Sequence, residues 1–558
     1  MYFCAFINAA STIVVPILIQ IGIDENIVKK DLNGLYITSF VLALILLIQF
    51  ISARTQGITL MKIGNKLFYE LRKDVFSHLQ ALSFNFFDKN KTGQIMTRVT
   101  NDIQVLEELL MSGLDTIFVD FLKIFGIIFA MIYLDIRLSV ILIIIIPILV
   151  LIVFGIRRKI TIVAEEIQQN LSSINSYLNE SLSGIMVIRS FAREQKNISD
   201  FSEKNENYYK KTKKFYPLNA FFWQCISTLN NFSIGMVIIG GGFLLKNNMI
   251  TIGVIAAYLT YVTQLFQPMQ KISNMLNQLS RALISCKRIF EILDEKIKVK
   301  NDPKAITNMN IKGSVKFENV NFSYEENKPI LKDISFSAQP GQTVAIVGAT
   351  GSGKSTIVNL LSRFYDINSG KIYIDDIELK KYDVWHYRNQ TAVVMQEPQI
   401  FSGTVLDNIR FSKPKAKKRD VEKITRSLNI HSMIMDFPKG YETNLTEHGD
   451  NISIGQKQLL AFARAMLRNP KILILDEASS YLDTKTEKLI QHTLEKIMKK
   501  RTTFIIAHRL STIQNSDLII VIKNGNIVEK GNHNELMKKN SHYSNLVKSQ
   551  SFPITSEA

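Results

Sequence analysis

Cysteine is scarce in this chain. Cys4, Cys225 and Cys286 are the only three in 558 residues. They stand far apart with no C-x-x-C pair, so neither a disulfide framework nor a zinc site is indicated. Acidic residues are also in deficit: 49 Asp and Glu face 67 Lys and Arg, for a formal net charge of +18. Such a balance suits either nucleic acid or the basic cytoplasmic flanks of membrane helices. The placement of charge decides between them, because several long stretches carry almost none. The amino end has no basic n-region and no small-residue cleavage site, so its apolar stretch reads as a retained helix and not as a removable signal. A chain of 558 residues is expected to form two or three domains.

Six apolar stretches fill the first half: 1–23, 36–53, 114–134, 138–156, 220–245 and 250–266. Each is long enough to cross about 30 Å of hydrocarbon. The short connections 24–35, 135–137 and 246–249 would lie outside. Two long segments, 54–113 and 157–219, would lie inside. Arg157, Arg158 and Lys159 follow the fourth stretch, and Lys210, Lys211, Lys213 and Lys214 precede the fifth. That is positive-inside placement, and it puts both termini in the cytoplasm. The long segments show helical periodicity, as at Leu67, Leu71, Val75 and Leu79, so the spanning helices should run on past the bilayer. Asp115, Asp120 and Lys123 read as the cytoplasmic end of the third span rather than as a buried ion site. The polar stretch 294–311 reads as a linker.

The second half carries a phosphate-binding pattern. Gly348, Ala349, Thr350, Gly351, Ser352, Gly353, Lys354, Ser355 and Thr356 fit G-x-x-x-x-G-K-[ST]. The β-branched run Thr343–Val347 precedes it and a helical pattern follows, which is the strand–loop–helix context that the motif needs. The glycines let successive N–H groups face phosphate oxygens, and the helix N-terminus adds partial positive charge. Lys354 would reach the β- and γ-phosphates, and Ser355 would ligate Mg²⁺. A second apolar run, Ile472–Leu475, ends in Asp476 and Glu477. Asp476 would hold Mg²⁺, and Glu477 would act as general base on the attacking water. A third run, 503–507, ends at His508, where ligands of a parallel sheet bind. Val521–Val528 reads as a hairpin about Asn524-Gly525. Tyr324 could stack on adenine or be an ordinary surface tyrosine.

Together with Asn451-Ile452-Ser453-Ile454-Gly455-Gln456 and Gln396-Glu397-Pro398, these pieces resemble the ATP-binding cassette family, in the form of a half-size bacterial exporter of the multidrug and lipid-export type. The resemblance implies a multidomain membrane protein. An all-α, six-helix transmembrane domain with long cytoplasmic extensions (1–293) would be joined by the linker to an α/β P-loop ATPase domain (312–548), with a tail at 549–558. It also implies roles. Tyr324 would stack on adenine. Gln396 would sense the γ-phosphate and Mg²⁺, which Ser355 would also ligate and Asp476 would hold through water. His508 would be the γ-phosphate switch, and residues 480–483 the D-loop. Phe87–Ile95 and Gly184–Phe191 would be coupling helices. Ser453, Gly455 and Gln456 would face the ATP of a partner subunit, so a dimer is implied.

Two features depart from the family pattern. The elbow helix before the first span is short or missing. Ile454 also stands where the signature L-S-G-G-Q has its first glycine, which allows close backbone approach to phosphate. Either its side chain points away harmlessly, or it weakens the site on the partner's nucleotide. The second possibility favours a heterodimer.

The leading function is ATP-driven export by alternating access. The runner-up is a membrane-anchored regulatory or channel-like ATP-binding protein that moves nothing uphill, which vesicle transport would separate from it. Six spans exclude a soluble nucleic-acid ATPase. Asn8, Thr12, Gln49, Gln224, Asn230, Asn231, Tyr258, Tyr261 and Gln264 give the spans polarity without charge. That suits amphipathic or hydrophobic substrates such as drugs or lipids, although the same residues can bond helix to helix.

Overall fold

Long helices fill the first half of the chain, and alternating strands and helices fill the second. The computed structural model describes residues 2–111, 115–476, 484–506 and 510–551. The chain divides into two compact units, Met1–Leu79 with Gly93–Asp294, and Gln80–Thr92 with Glu295–Ala558.

In the first unit the apolar stretches become helices at Tyr2–Ile21, Leu32–Ala81, Asp115–Leu134, Glu194–Lys246 and Ile252–Leu293, and as a consecutive pair at Ile136–Ile143 and Ile145–Ser183. The fourth stretch is thus interrupted at Ile144. Among the described residues, Phe3–Ile27, Leu32–Ala81 and Glu194–Lys246 are long and apolar enough to cross a membrane by length and composition alone. Side-chain caps start two of the helices. Asp135 accepts the N–H groups of Arg137 and Leu138, and Thr251 accepts that of Val254.

The helices pack through an apolar cluster including Ile127, Leu138, Phe222, Ile226, Val237 and Val262. Phe40, Phe129, Tyr133, Ile239 and Phe243 are exposed, as suits helices with a hydrocarbon-facing side. Tyr258 and Tyr261 bond helix to helix. The Tyr258 hydroxyl lies 2.8 Å from Ser139 Oγ and donates to the Met131 carbonyl at 2.6 Å, while Tyr261 donates to the Ile13 carbonyl at 2.6 Å. Asp120 lies near the start of its helix, Asp115–Leu134. It is buried, with Lys271 Nζ 3.8 Å away, because the Ile252–Leu293 helix runs on and carries Lys271 beside it.

Among the described residues, the second unit is built on twelve strands: β1 Val315–Phe322, β2 Leu331–Ala338, β3 Thr343–Val347, β4 Ser369–Ile374, β5 Ile377–Glu378, β6 Thr391–Val394, β7 Gly403–Thr404, β8 Asn444–Leu445, β9 Ile472–Asp476, β10 Thr502–Ile506, β11 Leu518–Lys523 and β12 Asn526–Gly531. They form a six-stranded sheet in the order β12-β11-β3-β10-β9-β6, a four-stranded sheet β2-β1-β4-β5, and the pair β7-β8. In the six-stranded sheet the neighbours from β11 to β6 are parallel. Buried on both faces, these strands are the near-continuous Val/Ile/Leu runs of the sequence. β11 and β12 join through Asn524 and Gly525, at φ +48° and +83°, the two positive angles of a tight hairpin turn.

Two segments outside the sheets pack on this unit. The first is the short helix Phe84–Lys89, which takes in the start of the expected coupling helix Phe87–Ile95. The rings of Phe84 and Phe364 lie 4.3 Å apart, and Ser83 Oγ accepts the N–H groups of Lys298 and Val299. The polar stretch 294–311 is held along its length. Arg363 donates to the Lys300 carbonyl, and the Ile311 N–H donates to Gln390 Oε1.

Candidate nucleotide-binding site

The parallel register brings the predicted residues to one edge. On β10, Ile506 pairs with Ile346 of β3 on one side and with Asp476 of β9 on the other. On β9, Leu475 pairs with Val394 of β6. The carboxyl ends of β3, β10, β9 and β6 therefore lie abreast, and the chain leaves them as the Gly348 loop, the segment before His508, Asp476, and the turn holding exposed Gln396. This is where a doubly wound sheet binds ligands. Glu477, His508 and residues 480–483 lie outside the described residues.

The loop itself is shaped for phosphate. A Cβ on Gly348 would lie 2.3 Å from the Ile522 carbonyl oxygen, so the strand can turn here only without a side chain. Gly353, at φ +107°, caps the helix Lys354–Leu361 and points its first N–H groups into the loop. Lys354 is buried, and its Nζ donates to the Gly348 and Ala349 carbonyls at 2.8 and 3.0 Å, curled over the loop that it would share with phosphate. Burial lowers the pKa of its ammonium below the usual lysine range, and Asp476 opposes that shift. Among the described residues, Ser352 Oγ is buried with no hydrogen-bond partner, a polar atom that a phosphate oxygen would satisfy. Ser355 is exposed at the helix start, open to a metal ion. Thr356 is buried and accepts from the Tyr324 hydroxyl at 3.3 Å, and Asn359 donates to that hydroxyl at 3.2 Å.

Tyr324 is thus anchored at the phosphate helix, half-buried, and is no free surface tyrosine. It stands edge-to-face with Phe322 and Tyr365. Asn359 and Tyr365 carry no motif in sequence and reach Tyr324 only through the fold.

The Ser453 segment opens the helix Ile454–Leu467. Ser453 Oγ accepts the Gln456 N–H at 3.2 Å, and Gln456 Oε1 accepts the Ser453 N–H at 2.9 Å. This reciprocal cap is legible in the S-x-x-Q spacing. Gly455 is buried. Ile454 sits in the first helical turn with its side chain 58% exposed, so it strains nothing in its own chain.

A phosphate loop, an acidic strand end and a glutamine turn on one sheet edge define a P-loop ATPase, here fused to a bundle of long apolar helices. The comparisons with known proteins name the class more closely. Residues 1–269 match the family model described as the ABC transporter transmembrane region, and residues 331–480 match that of the ABC transporter. Over 98% of its length the chain is 38% identical to YknV of Bacillus subtilis (strain 168), described as an uncharacterized ABC transporter ATP-binding protein, and covers 91% of it. It is 37% identical over 87% of its length to another B. subtilis protein, 83% of which is covered, which carries the provisional name multidrug export ATP-binding/permease protein YgaD. Its fold matches the structure of a bacterial Atm1-family ABC exporter with ATP bound, at a TM-score of 0.82 and 26% identity, covering 100% of this chain and 98% of that one.

The chain belongs to the ABC transporter family. It is a multi-pass membrane protein of the exporter type, with the membrane region and the ATPase in one chain, and it couples ATP hydrolysis to transport.

Proposed function

We propose that the chain exports amphipathic or hydrophobic compounds, drugs or lipids, by alternating access as one half of a dimer, with Glu477 as general base. The observation that carries this reading is the register placing the Gly348 loop, Asp476 and Gln396 on one sheet edge. Lys354 and the helix N-terminus would hold the phosphates, and Ser355, Gln396 and, through water, Asp476 would hold Mg²⁺. When bound, the ion neutralises charge on the phosphate oxygens. Tyr324 would stack on the base. Glu477 would draw a proton from the attacking water, and His508 would hold the γ-phosphate.

The relative with the multidrug-export name supports the substrate class, as do the uncharged polar residues of the spans. The basic flanks at Arg157–Lys159 and Lys210–Lys214 support a cytoplasmic placement of the ATPase. A heterodimer is the finer reading, and Ile454 supports it: its side chain is exposed, and the resemblance to the family would set it against a partner's nucleotide.

The test is transport into inverted vesicles with Glu477→Gln beside the wild type. The variant should bind ATP, hydrolyse it about 100-fold more slowly or less, and transport nothing, because only the base is removed. Near-normal turnover in the variant would reject Glu477 as the base. ATP hydrolysis by the wild type without uptake of any drug or lipid probe would favour the regulatory reading.

A further inference from the structure

We infer that Lys123, Lys271 and Asp120 form an anion-binding site at inner-leaflet depth in the membrane region, and that the exported compounds include amphiphiles with an acidic head group. This narrows the proposed export of drugs or lipids, and it rests on that reading and on its topology.

Asp120 and Lys123 stand one turn apart on the helix Asp115–Leu134. Lys271 comes from the helix Ile252–Leu293, which packs beside it. The Asp120 carboxylate is buried, with Lys271 Nζ 3.8 Å away. Lys123 is half-buried and within electrostatic reach of both. About 21 Å of helix separates Asp120 from Leu134, the outer end of its span on the proposed topology. Hydrocarbon is about 30 Å thick, so the cluster lies inside it on the cytoplasmic side. Charges are costly there, and they mark sites and pathways.

The balance of charge sets the ligand. Among the described residues, two ammoniums here share one carboxylate. A surplus ammonium held out of water is destabilising until an anion joins it. A cationic ligand would find the carboxylate already paired and two like charges beside it. Lys271 leaves a way in, its side chain being 56% exposed. Gln264 lies two turns outward from Lys271 on the same face of the helix. Among the described residues its Oε1 is buried with no hydrogen-bond partner. A singly protonated phosphate ester would donate its P–OH to that oxygen while its charge meets the lysines.

The test is binding, measured without ATP, of radiolabelled dodecyl phosphate to the full-length protein in neutral-lipid nanodiscs. Unlabelled dodecyl phosphate should displace the label about tenfold or more better than dodecyltrimethylammonium or dodecyl maltoside. Inorganic phosphate, which has the head and no tail, should not displace it at the same concentration. Lys123→Gln and Lys271→Gln should each weaken binding about fivefold or more, and Lys271→Arg should stay within about twofold of wild type. Asp120→Asn removes the competing negative charge and should tighten binding about threefold, whereas a merely structural ion pair predicts a loss. Equal displacement by the anionic and cationic amphiphiles, or unchanged binding in both glutamine variants, overturns the site. So does weaker binding in an Asp120→Asn protein whose thermal unfolding matches the wild type. Displacement by inorganic phosphate alone overturns the amphiphile. Charge-selective binding without ATP-driven uptake of dodecyl phosphate into inverted vesicles leaves the site standing and overturns instead the export reading, and the substrate class with it.

Discussion

Tyr324 shows how one side chain acquires a task from its neighbours. In sequence it is an aromatic shortly after a half-buried strand. In the fold its hydroxyl is held by Thr356 and Asn359, both on the helix that follows the phosphate loop. The ring is thereby fixed beside the site before any ligand arrives, which limits the entropy lost on stacking. Tyr324→Ala should weaken nucleotide binding by about 1–2 kcal/mol, the scale of base–aromatic stacking. Tyr324→Phe should lose much less, since the stacking face survives and only the two hydroxyl bonds go. Titration with a fluorescent ATP analogue reads both. An alanine variant that binds like wild type would leave Tyr324 with a packing role alone.

At the scale of elements, legibility in the sequence follows how local the cause is. A parallel strand buried on both faces must be apolar throughout, so Thr343–Val347 and Ile472–Leu475 stood out, and the residues leaving their carboxyl ends were legible with them. The turn at Asn524-Gly525 was legible because it needs two residues that tolerate positive φ. What escaped is long-range. The Asp88 carboxylate accepts from the Tyr365 hydroxyl, yet the two are 277 residues apart and carry no mutual pattern. The pairing of Asp120 with Lys271 escaped in the same way, because a helix says nothing in sequence of the one that packs beside it. The Ser453–Gln456 cap is local, and it tests what the helix Ile454–Leu467 is for. Ser453→Ala removes one cap bond, worth about 1 kcal/mol, and frees the first turn to fray. If that turn faces a partner's nucleotide, steady-state ATPase should fall about fivefold or more while nucleotide affinity at the chain's own phosphate loop stays unchanged. Unchanged ATPase would place the turn away from the working site.

At the scale of the whole molecule the question is which second chain completes the sites. On the proposed reading the Gly348 loop, Lys354, Asp476 and Glu477 would form one half of a site, and Ser453, Ile454 and Gly455 the half offered to a partner. Ile454 lies in regular helix with its side chain outward, so the helix N-terminus keeps its N–H groups and its partial charge. Its effect, where it has one, falls on the partner's nucleotide, which would meet a β-branched side chain in place of bare backbone. In a homodimer both sites would meet that obstacle. In a heterodimer a partner with a glycine at this position would complete the site that contains Glu477, and Ile454 would face only the partner's own phosphate loop. The heterodimer therefore predicts that this chain purified alone hydrolyses ATP about tenfold or more slowly than the assembled pair, and that Ile454→Gly changes the pair by less than about twofold. ATPase measured in lipid on each preparation decides. Robust drug- or lipid-stimulated hydrolysis from a single type of subunit would make the chain a homodimer, and Ile454 a residue that the partner's nucleotide tolerates.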